Sequence, residues 1–228
     1  MELNADFTRR VAVHAAQLPW VASPIAGIER RMLDRIGDEV ARATSIVRYA
    51  PHSRFTAHTH GGGEEFLVLD GVFSDEHGDF PAGSYVRNPP SSRHTPGSEP
   101  GCTIFVKLWQ FDQEDRAVVR IGTNERTFSH ALTRPGVEVM PLHSTEHETV
   151  CIERWACHQV IEWAPQGGAE FLVLDGDFEE RSERFTAWSW LRLPAGAVFR
   201  ATAGSRGARV WVKTGHLARP PHIALHGS

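Results

Sequence analysis

The chain has 228 residues, with 24 Lys+Arg against 28 Asp+Glu and a formal net charge of −4 at pH 7. It carries no basic run, so nucleic acid is not an expected partner. It has no apolar stretch of about 18 residues, which excludes a helical membrane span. Met1–Asp6 lacks the apolar core of a secretory leader, so a cytoplasmic protein is expected. The three cysteines, Cys102, Cys151 and Cys157, show neither CxxC spacing nor a paired framework, and they read as reduced thiols.

In chain order, residues 1–44 are short mixed segments punctuated by Pro and Gly, the habit of antiparallel strands. Gly37-Asp38 is a turn signal, so Asp34 to Ala43 reads as a hairpin loop rather than a helix. Ser45–Tyr49 and Phe55–His60 read as strands. The next stretch organises the rest: His58-Thr59-His60-Gly61-Gly62-Gly63-Glu64-Glu65, running into Phe66-Leu67-Val68-Leu69-Asp70-Gly71. Two histidines two residues apart leave a strand by the same face. Three glycines let the backbone reverse. Glu64 then opens the return strand, with its carboxylate placed to meet the two imidazoles. Such a cluster suits a divalent cation. Further on lie the turn-rich Gly78–Ser84 and then His94. Cys102–Phe111 is strongly β-prone and reads as one strand. Asp112–Asp115 is a polar break, which divides the chain into domains 1–115 and 116–228.

The second domain repeats the first. GGEEFLVLDG (Gly62–Gly71) recurs as GGAEFLVLDG (Gly167–Gly176), an offset of 105 residues with one change. At that offset His58 becomes Trp163, His60 becomes Pro165, Glu64 becomes Ala169 and His94 becomes Phe199. All four candidate ligands are lost together while the surrounding words survive. Residues kept in both halves therefore carry the fold, and residues present only in the first half are candidates for chemistry. Glu65 and Arg87 recur as Glu170 and Arg192 and are assigned structural roles, Glu65 facing outward or into a loop. Arg54 and Asn88 do not recur and are open to a ligand-supporting, substrate-contacting or surface role. In the second half, Trp163 and Phe199 are expected to fill as core the space that the ligands occupy in the first.

The pattern HxH, three residues, Glu, six residues, Gly, followed by PxG and a later His resembles the two signature motifs of the cupin superfamily. The wording HTHGGGEEFLVLDG, GDFPAGSYVRNPP and RHTP is similar to the ChrR cupin-like family in particular. The Asn that usually follows the His of the second motif is missing. The resemblance implies an all-β bicupin, two double-stranded β-helix (jelly-roll) barrels from an internal duplication. It implies metal ligation by His58, His60, Glu64 and His94 in the first barrel and none in the second.

ChrR itself is a zinc-binding anti-sigma factor, which points to zinc and to sensing or binding of a small molecule. Its sigma-binding helical zinc domain has no matching Cys cluster here, so a sigma factor is not an expected partner. The alternative is a mononuclear Fe, Mn or Ni dioxygenase acting on a small dicarbonyl or aromatic compound, as in the acetylacetone dioxygenase type. Those enzymes typically use three His without the Glu. A homodimer is expected from the exposed sheet edges of cupins.

Two other patterns read as incidental. His143-Ser144-Thr145-Glu146-His147 fits HxxEH, but Pro141 before it and the β-prone Thr149–Trp155 after it argue for an exposed loop rather than a zinc helix. His216, His222 and His226 read as tail. No nucleophile elbow, Walker loop or dinucleotide fingerprint is present.

Overall fold

A computed structural model describes residues 1–38 and 40–218. The protein is all-β, its only helical pieces among these residues being single 3-10 turns at Ala15–Gln17 and Thr123–Glu125. Among the described residues no helix is long and apolar enough to cross a membrane. His222 and His226 lie outside the described residues.

The chain forms two compact units. One holds Met1–Ala5 and Pro19–Glu125; the other holds Asp6–Leu18 and the described residues from Arg126 onward. The division at 115 follows the duplication, whereas the compact units follow strand pairing. Val11–His14 pairs with Ser189–Leu193 in the second unit. Val119–Gly122 pairs with Ser84–Asn88 in the first.

In the first unit the main sheet runs in the order Glu2–Leu3, Ile28–Gly37, Ala41–Tyr49, Cys102–Leu108, Glu64–Asp75, Ser84–Asn88, Val119–Gly122. The hairpin expected near Gly37-Asp38 is present, with arms longer than expected: Ile28–Gly37 pairs with Ala41–Tyr49. Gly37 (φ +109°) supplies the left-handed bend. The twelve-residue strand Glu64–Asp75 is the spine. Its first part pairs with Cys102–Leu108 and Ser84–Asn88, and its end pairs with Gly78–Pro81. Alternation along it sends Phe66 and Val68 into a core shared with Tyr49, Phe80, Val86 and Ile104, and a register shift at Leu69 changes the parity so that Phe73 joins them.

Two expected strands are shorter in the structure. Phe55–His60 yields only Ser53–Arg54 and His58–Thr59. Cys102–Phe111 ends at Leu108, because Trp109 takes a left-handed φ of +58° that no strand can continue.

The second unit repeats the plan in the order Ser129–His130, Val137–Ser144, Thr149–Trp155, Phe199–Thr214, Ala169–Glu180, Ser189–Leu193, Val11–His14. Its core is richer in large side chains, with Trp155, Phe171, Phe178, Phe185 and Phe199 all buried.

Candidate metal centre

The ligand hairpin of the first unit is a small two-stranded sheet, His58–Thr59 against Arg93–His94, with His94 directly opposite His58. This register brings two histidines 36 positions apart in sequence onto one face. His60 follows at the end of the first arm, tied by its N–H to the Ser92 carbonyl (2.9 Å). The three rings converge with centroids 4.9, 5.0 and 4.7 Å apart for the pairs 58/60, 58/94 and 60/94. Ligand nitrogens from all three lie within 4.8 Å of one another. Glu64 completes the group: its Oε2 is 3.5 Å from His60 Nε2 and 3.6 Å from His94 Nε2. Of the four residues singled out in the sequence, the three histidines form one cluster, and Glu64 stands beside His60 and His94.

The donor atoms are set up to bind rather than to pair with each other. His94 Nδ1 lies 3.1 Å from Asp75 Oδ2, and a carboxylate can only accept, so Nδ1 carries the proton and Nε2 presents its lone pair. His58 Nδ1 donates to the Thr56 carbonyl (3.3 Å), which fixes the same tautomer. The Nε2 atoms of His60 and His94 are buried and have no hydrogen-bond partner among the described residues. A buried polar atom left so is costly unless something else satisfies it. Donors held at about 2.1 Å from one cation lie roughly 3–3.5 Å apart, so the His–Glu spacings also fit. On both counts the residues fit a single divalent ion.

Burial holds His60 below the usual imidazole range; it outweighs the opposing pull of Glu64, and the His94 and His58 rings add to the lowering. The neutral, ligating form is thereby favoured. At His94 burial acts in the same direction, but the hydrogen bond to Asp75 and the charges of Glu64, Asp75 and Glu76 override it and hold the ring above the usual value. Asp75 is held below the usual carboxylate range despite its burial, by hydrogen bonds from His94 and from the His77 backbone N–H. His58 is exposed whereas His60, Glu64 and His94 are buried, so the site opens toward solvent on the His58 side.

The residues around the four candidates sort themselves. Asn88 is buried and donates from Nδ2 to Glu64 Oε2 (3.2 Å), which makes it a support of that carboxylate. Arg54 is exposed and lines, with Ser53, Asp75 and Glu99, a cavity of about 310 Å³. Arg87 is structural: it pairs with Asp115 (2.7 Å) and lies over the Phe111 ring at 4.2 Å. Glu65 is structural but does not face outward. It is buried, and it accepts a hydrogen bond from the Tyr85 hydroxyl (2.5 Å), because it leaves the strand by the face opposite Glu64. Asp75 escaped the sequence reading.

The second unit places Trp163 opposite Phe199 in the register that pairs His58 with His94 in the first. Their rings meet edge to face with centroids 5.7 Å apart, and Phe171 stacks on Phe199 at 4.3 Å. Arg134 lies over Trp163 at 4.7 Å and makes two bonds to the buried Glu153 (2.9 and 2.5 Å). The space is filled as core. Of His143-Ser144-Thr145-Glu146-His147, expected as an exposed loop, only Thr145–His147 lie in the hairpin turn; His143 and Ser144 end the strand Val137–Ser144, and the His143 side chain is largely buried, 3.8 Å from Glu148. His216 is no tail residue: its ring is buried and bonds the equally buried Glu170 (2.8 Å). All three cysteines are unpaired, and burial pushes the Cys102 thiol up to about 11 and Cys151 higher still, so neither is a thiolate at neutral pH.

The family model of the ChrR cupin-like domain matches residues 8–112 and again residues 116–218. The chain belongs to the ChrR cupin-like family. This bicupin matches no curated protein by sequence. Among solved structures it resembles a candidate dioxygenase from Nostoc punctiforme, with TM-score 0.72 and 13% identity over 100% of this chain and 87% of that one. A candidate glyoxylate-induced protein from Pseudomonas aeruginosa follows at TM-score 0.69, 14% identity, 100% and 95% coverage. The nickel(II) complex of the bacterial pirin YhhW from Escherichia coli gives 0.65, 12%, 90% and 98%. At these identities the likeness speaks for the bicupin fold.

Proposed function

We propose that this cupin holds one divalent transition-metal ion through His58, His60, Glu64 and His94, and uses it to take up a small oxygen-donor molecule from the His58 side. The observation that carries the reading is the pair of buried, unpartnered Nε2 atoms of His60 and His94, aimed at the same point as Glu64. When bound, the ion would supply Lewis-acid or redox chemistry with coordination positions left for substrate, as in a mononuclear dioxygenase. The named likenesses to a candidate dioxygenase and to a nickel-bound pirin agree with that class. The chain's own part is to orient. Asp75 and the Thr56 carbonyl hold protons at Nδ1 of His94 and His58, and Asn88 steadies Glu64.

The second reading is a four-coordinate zinc centre with a sensing role, favoured by the Glu64 carboxylate as fourth ligand. Metal analysis of untagged protein, with oxygen uptake on a diketone, tests both. Iron, manganese or nickel with uptake supports the enzyme; closed zinc without uptake supports the sensor. His60→Ala is expected to lose stoichiometric metal, and full metal content in that variant would remove the assignment.

A further inference from the structure

Trp109 stands directly after the strand Cys102–Leu108 with φ of +58°, a conformation that bulky side chains rarely adopt. Its N–H donates to the Gly63 carbonyl (3.1 Å), which ties it to the turn between His60 and Glu64. Its ring lies directly against that turn. A Cβ added at Gly61 would stand 2.9 Å from the ring atoms Cζ2 and Cη2, and one added at Gly62 would collide with the ring itself. Of the three glycines only Gly63 (φ +75°) has the backbone conformation that requires glycine. Gly61 and Gly62 lack side chains to let the indole approach.

The second unit supplies the control. There Gly215 N–H donates to the Gly168 carbonyl at the same 3.1 Å, and Gly215 takes the same left-handed backbone (φ +88°). The connection is thus retained in both units, but the half without ligands uses glycine where the half with ligands uses tryptophan. Gln166 also replaces Gly61. The strained aromatic residue occurs where there is a cage to hold.

Resting on the metal-centre reading above, we propose that Trp109 is a positioning residue that presses the Gly61–Gly63 turn flat and so sets the His60–Glu64 spacing before any ion arrives. Zinc titration against a chromophoric chelator, beside thermal unfolding of chelator-treated protein, tests this. Trp109→Gly is expected to lose about 10–100-fold in zinc affinity, as loss of an orienting neighbour does. Its metal-free unfolding midpoint should stay near that of the wild type, since glycine relieves the left-handed backbone. Unchanged zinc affinity overturns the proposal.

Should Trp109→Gly fail to fold, Gly61→Ala reads the same contact with the indole in place. Weakened zinc binding by the folded variant supports the clamp, and unchanged binding overturns it. His60→Ala run in parallel separates the two failures. If the wild type takes up no zinc, or His60→Ala still does, the metal centre falls and the clamp with it. If His60→Ala loses zinc and Trp109→Gly does not, only the clamp falls.

Discussion

The two barrels share a strand plan and differ in how one strand is drawn. In the second, Phe199–Thr214 is a single sixteen-residue strand. In the first, the same course is broken into Arg93–His94, Gly97–Ser98 and Cys102–Leu108. Pro96 sits at the first break, where its missing N–H cannot serve a ladder, and Ala201 takes its place in the second barrel. The broken version turns the ligand hairpin into an independent two-stranded sheet, and the continuous version packs aromatic rings against it. A barrel that holds polar donors gives up strand length and apolar packing; the one freed of them recovers both.

The largest effect that would break this comparison lies in the filled barrel. Phe199 is fully buried between Phe171, Trp163 and Trp155. Phe199→Ala should cost about 3–5 kcal/mol in denaturant unfolding of chelator-treated protein. His94→Ala at the equivalent place should cost markedly less there and show its effect in metal content. Equal costs would mean that the first barrel depends on its histidines for packing.

Next is Asp75→Asn, which removes the carboxylate that fixes the His94 tautomer and should weaken metal binding about 10–100-fold in a folded protein. The smallest effect sharpens the edge of the second barrel. Glu183 is held below its ordinary value of 4.5: burial opposes the shift, but hydrogen bonds from Arg10 and then His14 outweigh it. Its contribution to stability is full above pH 4.5 and is lost as the pH falls below that through its folded value. Glu183→Gln should lower stability near pH 7 and leave it unchanged at pH values below the folded value of Glu183, so that the acid limb of a stability–pH curve flattens.

The duplication made much of this legible beforehand. Loss of four candidate ligands at one offset marked His58, His60, Glu64 and His94, and the structure clusters the three histidines with Glu64 beside two of them. The same logic hid Asp75. Its counterpart Glu180 is also a buried acid, bound by Arg10, so comparison of the halves shows a carboxylate in both. Glu65 was misplaced for another reason: retention in both halves signals structure without saying which face. Trp109 was invisible because a β-prone run CTIFVKLWQF gives no hint of a left-handed residue inside it. His216 was read as tail because its partner Glu170 is 46 positions away.

The pairing of Val119–Gly122 with Ser84–Asn88 reaches further than topology. Asn88, which steadies Glu64, is the last residue of that inner strand. A fragment trimmed at the duplication boundary would lose the outer neighbour of this strand and strip one flank from the support of the cage. It would also carry Val11–His14 with nothing to dock on. One repeat cut at residue 115 therefore lacks a strand of its own sheet, because each copy carries a strand that pairs in the sheet of the other.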